Sequence, residues 1–172
     1  MLILCSGCSP QPRADLVFLN GAEPETLDPA LITGQPEGRV ANALFEGLLT
    51  FDQSGKPQPG MAESWTVSED GRIYTFTLRE GLTWSDGTPL TARDFVESWR
   101  RTLDPATASE YAYQLHYIKN ARAFNEGKSA DFSQVGVSAP DEQTLRVELE
   151  NPTPFFADLC AFVTLLPVPL HV

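Results

Sequence analysis

Apolar positions along this chain change period several times, and each change predicts an element. Leu16, Val17, Phe18 and Leu19, between Asp15 and Asn20, form a short apolar run that reads as a first strand. A loop containing Pro, Gly and Asp follows over residues 21–36. From Glu37, the residues Val40, Leu44, Phe45 and Leu48 recur at helical spacing, predicting an amphipathic helix that ends near Gly47. Asp52-Gln53-Ser54-Gly55 is a turn. Beyond it the period falls to two. Ser64 to Ser68 and Arg72 to Arg79 flank Glu69-Asp70-Gly71, and Asp-Gly between two such segments is a strong hairpin signal. Tyr74, Phe76 and Leu78 fall on one face of the second strand and Thr75 and Thr77 on the other, so one face is buried and the other wet.

The second half repeats this mixture. Leu82-Thr83-Trp84 is extended and leads into the turn Ser85-Asp86-Gly87. Thr91 can cap a helix with Asp94 three residues on, and Phe95, Val96, Trp99 and Leu103 make its apolar stripe. Asp104-Pro105 ends it. Residues 109–127 read as further helix, 137–149 as a second hairpin with Leu145, Val147 and Leu149 alternating, and 153–163 as a last helix. The fold class is α+β with a mixed sheet. The best domain boundary lies at 47–50, where the first helix ends. Trp65, Tyr74, Phe76, Trp84 and Trp99 crowd one meander and are expected to form its core.

Composition removes several functions. The chain has 172 residues, 42% of them apolar, and a net charge of −11 from 12 basic and 23 acidic side chains. That core is large enough for a folded domain. The charge and the lack of a basic cluster argue against nucleic acid and against docking on anionic lipid, and solubility is the plainest role for the acidity. No Gly-x-Ser-x-Gly, phosphate loop or His-Glu-x-x-His occurs, and His116 and His171 stand alone, so an enzyme is not expected. Cys5, Cys8 and Cys160 lack zinc-site spacing, and Cys160, inside an apolar run, reads as a buried inert residue. Ser68-Glu69-Asp70-Gly71 suits a hairpin turn better than a calcium loop. Neither metal nor cofactor is expected. Tyr111, Tyr113 and Tyr117 follow the loop 104–109 and suit either packing or contact with a polar ligand.

The two ends carry further signals. Met1-Leu2-Ile3-Leu4-Cys5-Ser6-Gly7-Cys8 resembles the end of a bacterial lipoprotein signal, in which Cys8 would be acylated. It lacks the basic start, its apolar part is short, and Cys5 stands where Leu is usual. A clipped signal followed by a tether over 9–14 is the reading, with a tail carrying two incidental cysteines as the alternative. The apolar run 159–172 is short and broken by Pro167 and Pro169, so it does not span a bilayer. The chain stops inside that run, which reads as an interrupted protein.

Ordered blocks then identify a resemblance. Pro59-Gly60-Met61-Ala62-Glu63-Ser64-Trp65, the stretch from Tyr74 to Gly81, and Trp84-Ser85-Asp86-Gly87-Thr88-Pro89-Leu90-Thr91-Ala92-Arg93-Asp94-Phe95-Val96 resemble the extracellular solute-binding proteins of family 5, the peptide and nickel receptors of ABC importers. Glu23 to Pro29, Leu44 to Leu48, Val137 to Leu149 and Pro154-Phe155-Phe156 continue the likeness, and Asp104 to Ala112 looks like the oligopeptide subgroup. The resemblance implies a periplasmic binding protein-like fold, with two lobes closing about a hinge and a small additional domain beside the first. Residues 1–14 would be signal and tether, 15–47 the start of the first lobe, and 48–172 the additional domain. It implies an exported, lipid-anchored monomer that binds extended oligopeptides and delivers them to a membrane permease and ATPase. Nickel, haem or another small solute is the alternative ligand. Thr33, Gly34, Gln35 and Tyr111 align with peptide-contacting positions, although some members carry an acidic residue where Thr33 stands. Capture of the peptide amino terminus belongs to a later acidic residue outside this chain, so these residues alone are expected to bind peptide poorly or not at all.

Overall fold

The computed structural model describes residues 17–172. Helix α1 (Gln35–Leu44) precedes a two-stranded ladder of β1 (Leu49–Phe51) and β2 (Pro57–Pro59). Asp52 closes the turn between them, its Oδ1 accepting from the amides of Ser54 and Lys56 at 2.7 and 2.9 Å. The main sheet has the order β3 (Ala62–Val67), β4 (Ile73–Leu78), β6 (Thr144–Glu148), β5 (Val137–Ser138). Every ladder is antiparallel, which corrects the mixed sheet expected. The reason lies in where the chain returns. After β4 it makes a long excursion and re-enters beside the end of β4 that it left, with Thr144 opposite Thr77 and Glu148 opposite Ile73.

The alternating pattern of β4 does what its sequence demands: Tyr74, Phe76 and Leu78 are buried and the residues between them are half-exposed. Helix α2 (Ala92–Leu103) lies on that buried face. The Asp94 carboxylate accepts from the Thr91 amide at 2.7 Å, satisfying a donor at the helix start. Phe95, Trp99 and Leu103 are fully buried and Val96 partly so. Burying each such side chain is worth about 1.5–3 kcal/mol. Two buried polar bonds fix the packing. Trp99 Nε1 donates to Leu165 O at 2.9 Å, and Tyr74 Oη donates to Thr153 O at 3.1 Å. His116 Nε2 lies 2.8 Å from Asn125 Oδ1, whose amide in turn donates to Leu103 O, so this histidine is structural.

Several expected elements are shorter than their patterns suggest. Val17, Phe18 and Leu19 form no strand and are 68–85% exposed, because no neighbouring strand offers them a ladder among the described residues. The first helix stops at Leu44, three residues early, and Leu44 is exposed. Residues 109–127 are not one helix but a 3₁₀ turn at Ala112–Leu115 and the short α3 (Ala121–Asn125). Between them Ile118 is drawn out as a bridge to Leu149, Lys119 N donates to Glu148 O, and Asn120 adopts φ +60°. Burial of Ile118 beside the sheet outweighs helical continuity. The last helix shrinks to α4 (Phe156–Leu159), followed by a 3₁₀ turn at Val163–Leu165 that presents Leu165 O to Trp99.

The apolar interior falls into two clusters. The larger runs from Leu48 to Leu165 through the sheet, α2 and α4. The smaller joins Ile32 and Ala41 to Val163 and Leu166, flanked by Phe45 and Phe162. No helix among the described residues is long and apolar enough to cross a membrane.

Candidate functional site

The smaller cluster floors an open cleft of about 1040 Å³ bounded by the start of α1, β1 and the segment around Phe162. Its entrance is built locally. Thr26 Oγ1 accepts from the Asp28 amide, and Asp28 Oδ1 accepts from the Ala30 amide, both at 3.1 Å. The Leu31 and Ile32 amides donate to Asp28 O, closing a compact turn that buries Ile32 and delivers Thr33 to the cleft. Pro36 then starts α1 in the first turn, where its missing N–H costs nothing. Across the cleft Tyr111 sits between Phe162 (edge-on, ring centroids 6.1 Å) and Tyr113 (5.9 Å). Its hydroxyl donates to Thr33 O over a long 3.4 Å.

Tyr111, distant in sequence from Thr33, Gly34 and Gln35, therefore lines the same cleft as those three. Tyr113 and Tyr117 do not line it. Tyr117 instead packs edge-on against Phe155 at 5.2 Å. Cys8 lies outside the described residues. Cys160 is buried and free, and burial pushes its thiol well above the usual range, which leaves it inert. The turn Ser85-Asp86-Gly87 lies outside the cleft as well. There the Thr88 amide and His171 hold the exposed Asp86 carboxyl down to about 2.

One element of the site has no local sequence signal. Arg101 on α2 donates through Nη1 to Asp28 Oδ1 at 2.9 Å and through Nη2 to Asp28 Oδ2 at 2.5 Å. Burial alone pushes the Asp28 carboxyl up. The Arg101 hydrogen bond, the Ala30 amide and the Arg101 charge together outweigh it and hold the carboxyl below its ordinary value. The turn that carries Thr33 is thus clamped to the sheet-bearing body. Phe162, which sets the Tyr111 ring, likewise lies 51 positions from it, too far for any periodicity to register.

The walls of the cleft offer backbone groups, hydroxyls from Thr33, Thr50 and Tyr111, the side-chain amides of Gln35 and Asn42 and apolar surface from Phe45, Phe51 and Phe162, with Arg39 and Glu46 as the charged members. No group of three His, Cys, Asp or Glu able to hold a metal ion occurs among the described residues. Such walls hold a ligand by shape and hydrogen bonds, which is the equipment of a binding protein. The chain belongs to the bacterial extracellular solute-binding proteins, family 5, whose middle-region model matches residues 56–171.

It is 47% identical over 146 residues to the oligopeptide-binding protein OppA of Bacillus subtilis, covering 85% of this chain and 27% of that protein. It is 45% identical over 163 residues to the probable deoxycholate-binding periplasmic protein YgiS of Escherichia coli, covering 94% and 30%. Among solved structures, the Haemophilus influenzae OppA complex with the peptide RPPGFSPFR matches with a TM-score of 0.85 and 45% identity, over 88% of this chain and 30% of that one. The α+β fold is that of periplasmic peptide-binding structures. The chain spans less than a third of the length of these relatives.

Proposed function

We propose that this chain forms part of the substrate-binding protein of a peptide ABC importer, and that Thr33, Gly34, Gln35 and Tyr111 contact the bound peptide. The observation that carries this is the convergence of those four residues on one cleft, in a fold that matches a peptide complex. An extended peptide offers the same backbone groups whatever its sequence, so a wall of main chain at 33–35 binds it without reading side chains. The Tyr111 ring supplies flat area and its hydroxyl a polar contact. Residues 15–47 begin the first lobe and 48–172 form the additional domain, the two meeting at the smaller cluster, where Val163 and Leu166 pack with Ile32 and Ala41. Export to the periplasm or outer cell surface, lipid attachment through Cys8, a monomeric state and delivery to a membrane permease and ATPase complete the reading.

A second reading has its own observation. The E. coli relative named as probable deoxycholate-binding is nearly as similar as the peptide binder, so another solute could occupy the same scaffold. Amide chemical shifts of the chain, recorded against trialanine, deoxycholate and nickel in parallel, separate the two. Peptide-induced shifts centred on Gly34, Gln35 and Tyr111, with weak saturation, are expected. A response at these residues to deoxycholate or nickel alone removes the peptide reading.

A further inference from the structure

Gly34 caps α1 with φ −101° and ψ 158°, an extended conformation open to any residue, so backbone freedom does not explain a glycine there. Space does. A Cβ built on Gly34 would lie 2.1 Å from Glu37 Oε2 and 3.1 Å from Glu37 Cδ, well inside van der Waals contact. Glu37 is 7% exposed, unusual for a carboxylate on the first turn of a helix with a free face. Its Oε1 accepts from the Glu25 amide at 3.1 Å, while Oε2 has no partner among the described residues. The same corner is laced by Asn20 Nδ2 donating to Pro36 O at 3.1 Å and Arg39 Nη1 donating to Asn20 O at 3.2 Å. Gly34 lines the cleft and Glu37 does not. The glycine therefore has the cleft on one side and the Glu37 carboxylate on the other.

We infer that Glu37 is a positioning residue for the ligand-facing peptide unit of Gly34. Its carboxylate ties Glu25 to the start of α1, fills the space where a side chain at position 34 would stand, and so sets the depth to which a ligand main chain reaches between Gly34 and Tyr111. This rests on the peptide reading of the cleft. The ligand class it fits is a main chain lying flat on a glycine, since any side chain at position 34 would displace either the carboxylate or the ligand.

The test compares Gly34→Ala, Glu37→Ala, Glu37→Gln and the two double variants in the 172-residue chain, by thermal unfolding and by titration with trialanine followed through the amide resonances of Gln35 and Tyr111. A Cβ there is accommodated by moving the Glu37 carboxylate, the far end of a flexible side chain, so the cost is that of its bond to the Glu25 amide, about tenfold in an equilibrium constant. Gly34→Ala is expected to weaken trialanine by that factor both with Glu37 intact and in the Glu37→Gln background, because the two side chains fill the same space. In the Glu37→Ala background the same substitution is expected to cost less than about threefold. That rescue by Ala but not by Gln marks a steric lock rather than general damage. An equal loss in all three backgrounds overturns the inference. Should trialanine leave the unsubstituted chain silent, the lock is judged by the same cycle in the melting temperatures, where additive shifts overturn it.

Discussion

Replacing Arg101 by Met and Asp28 by Asn, singly and together, tests whether the clamp between α2 and the site turn is energetically real. Met keeps most of the apolar stem, and Asn keeps an oxygen for the Ala30 amide, so the cycle isolates the ion pair. Its magnitude follows from exposure and geometry. The two side chains are 34% and 25% exposed, and the pair is bidentate. Fully exposed pairs contribute about 0–1 kcal/mol, and breaking a buried one costs about 3–5 kcal/mol. A coupling of about 1.5–2 kcal/mol at neutral pH is therefore expected, a drop of about 3–8 °C in melting temperature for a chain of this size. The pH dependence has a definite sign. Asp28 is lowered in the folded state, so its contribution is full above the unfolded carboxylate pKa of about 3.9 and is lost as pH falls through the folded value. Urea unfolding monitored through tryptophan fluorescence, at pH 7 and again in acid, measures both. A coupling under about 0.5 kcal/mol at pH 7, or one that persists undiminished in acid, refutes this account.

Three further outcomes follow from the packing. Gly136→Ala should destabilise by about 2–3 kcal/mol, since a Cβ there meets Glu148 O at 2.4 Å and Lys119 Cβ at 2.9 Å, and unfolding in urea would expose any smaller cost. Tyr74→Phe should cost about 1 kcal/mol by removing one of the two donors to Thr153 O, which keeps the Phe156 amide at 3.0 Å, and an unchanged midpoint would show that this hydroxyl adds nothing. Cys160 should react with a maleimide only as fast as the chain opens, and prompt native-state labelling would contradict its burial.

What the linear pattern revealed, and what it hid, divides by range. The β3–β4 hairpin around Asp70-Gly71 and the Thr91–Asp94 start of α2 are local, and each is written in adjacent residues. The break at Tyr117 to Asn120 is not. Nothing near Ile118 forbids a helix, and only the distant Leu149 makes an extended path better. Val17, Phe18 and Leu19 show the converse, an apolar run whose strand character depends on a neighbour the described residues do not provide. The cleft divides in the same way. Thr33, Gly34, Gln35 and Tyr111 came from the family likeness, whereas Arg101, Glu37 and Phe162 owe their roles to partners brought near only by the fold.

The order of strands has a consequence for synthesis. β4 is the second strand of the sheet, yet its other neighbour, β6, is the last to be made. Until residue 148 has left the ribosome, β4 keeps a row of free amides and carbonyls beside the apolar face of Tyr74, Phe76 and Leu78. The nascent chain thus carries a sticky edge while residues 79–148 are made, and closing the sheet must await a long-range encounter that is slow by nature. That delay prolongs the unfolded interval in which a chaperone can engage the chain.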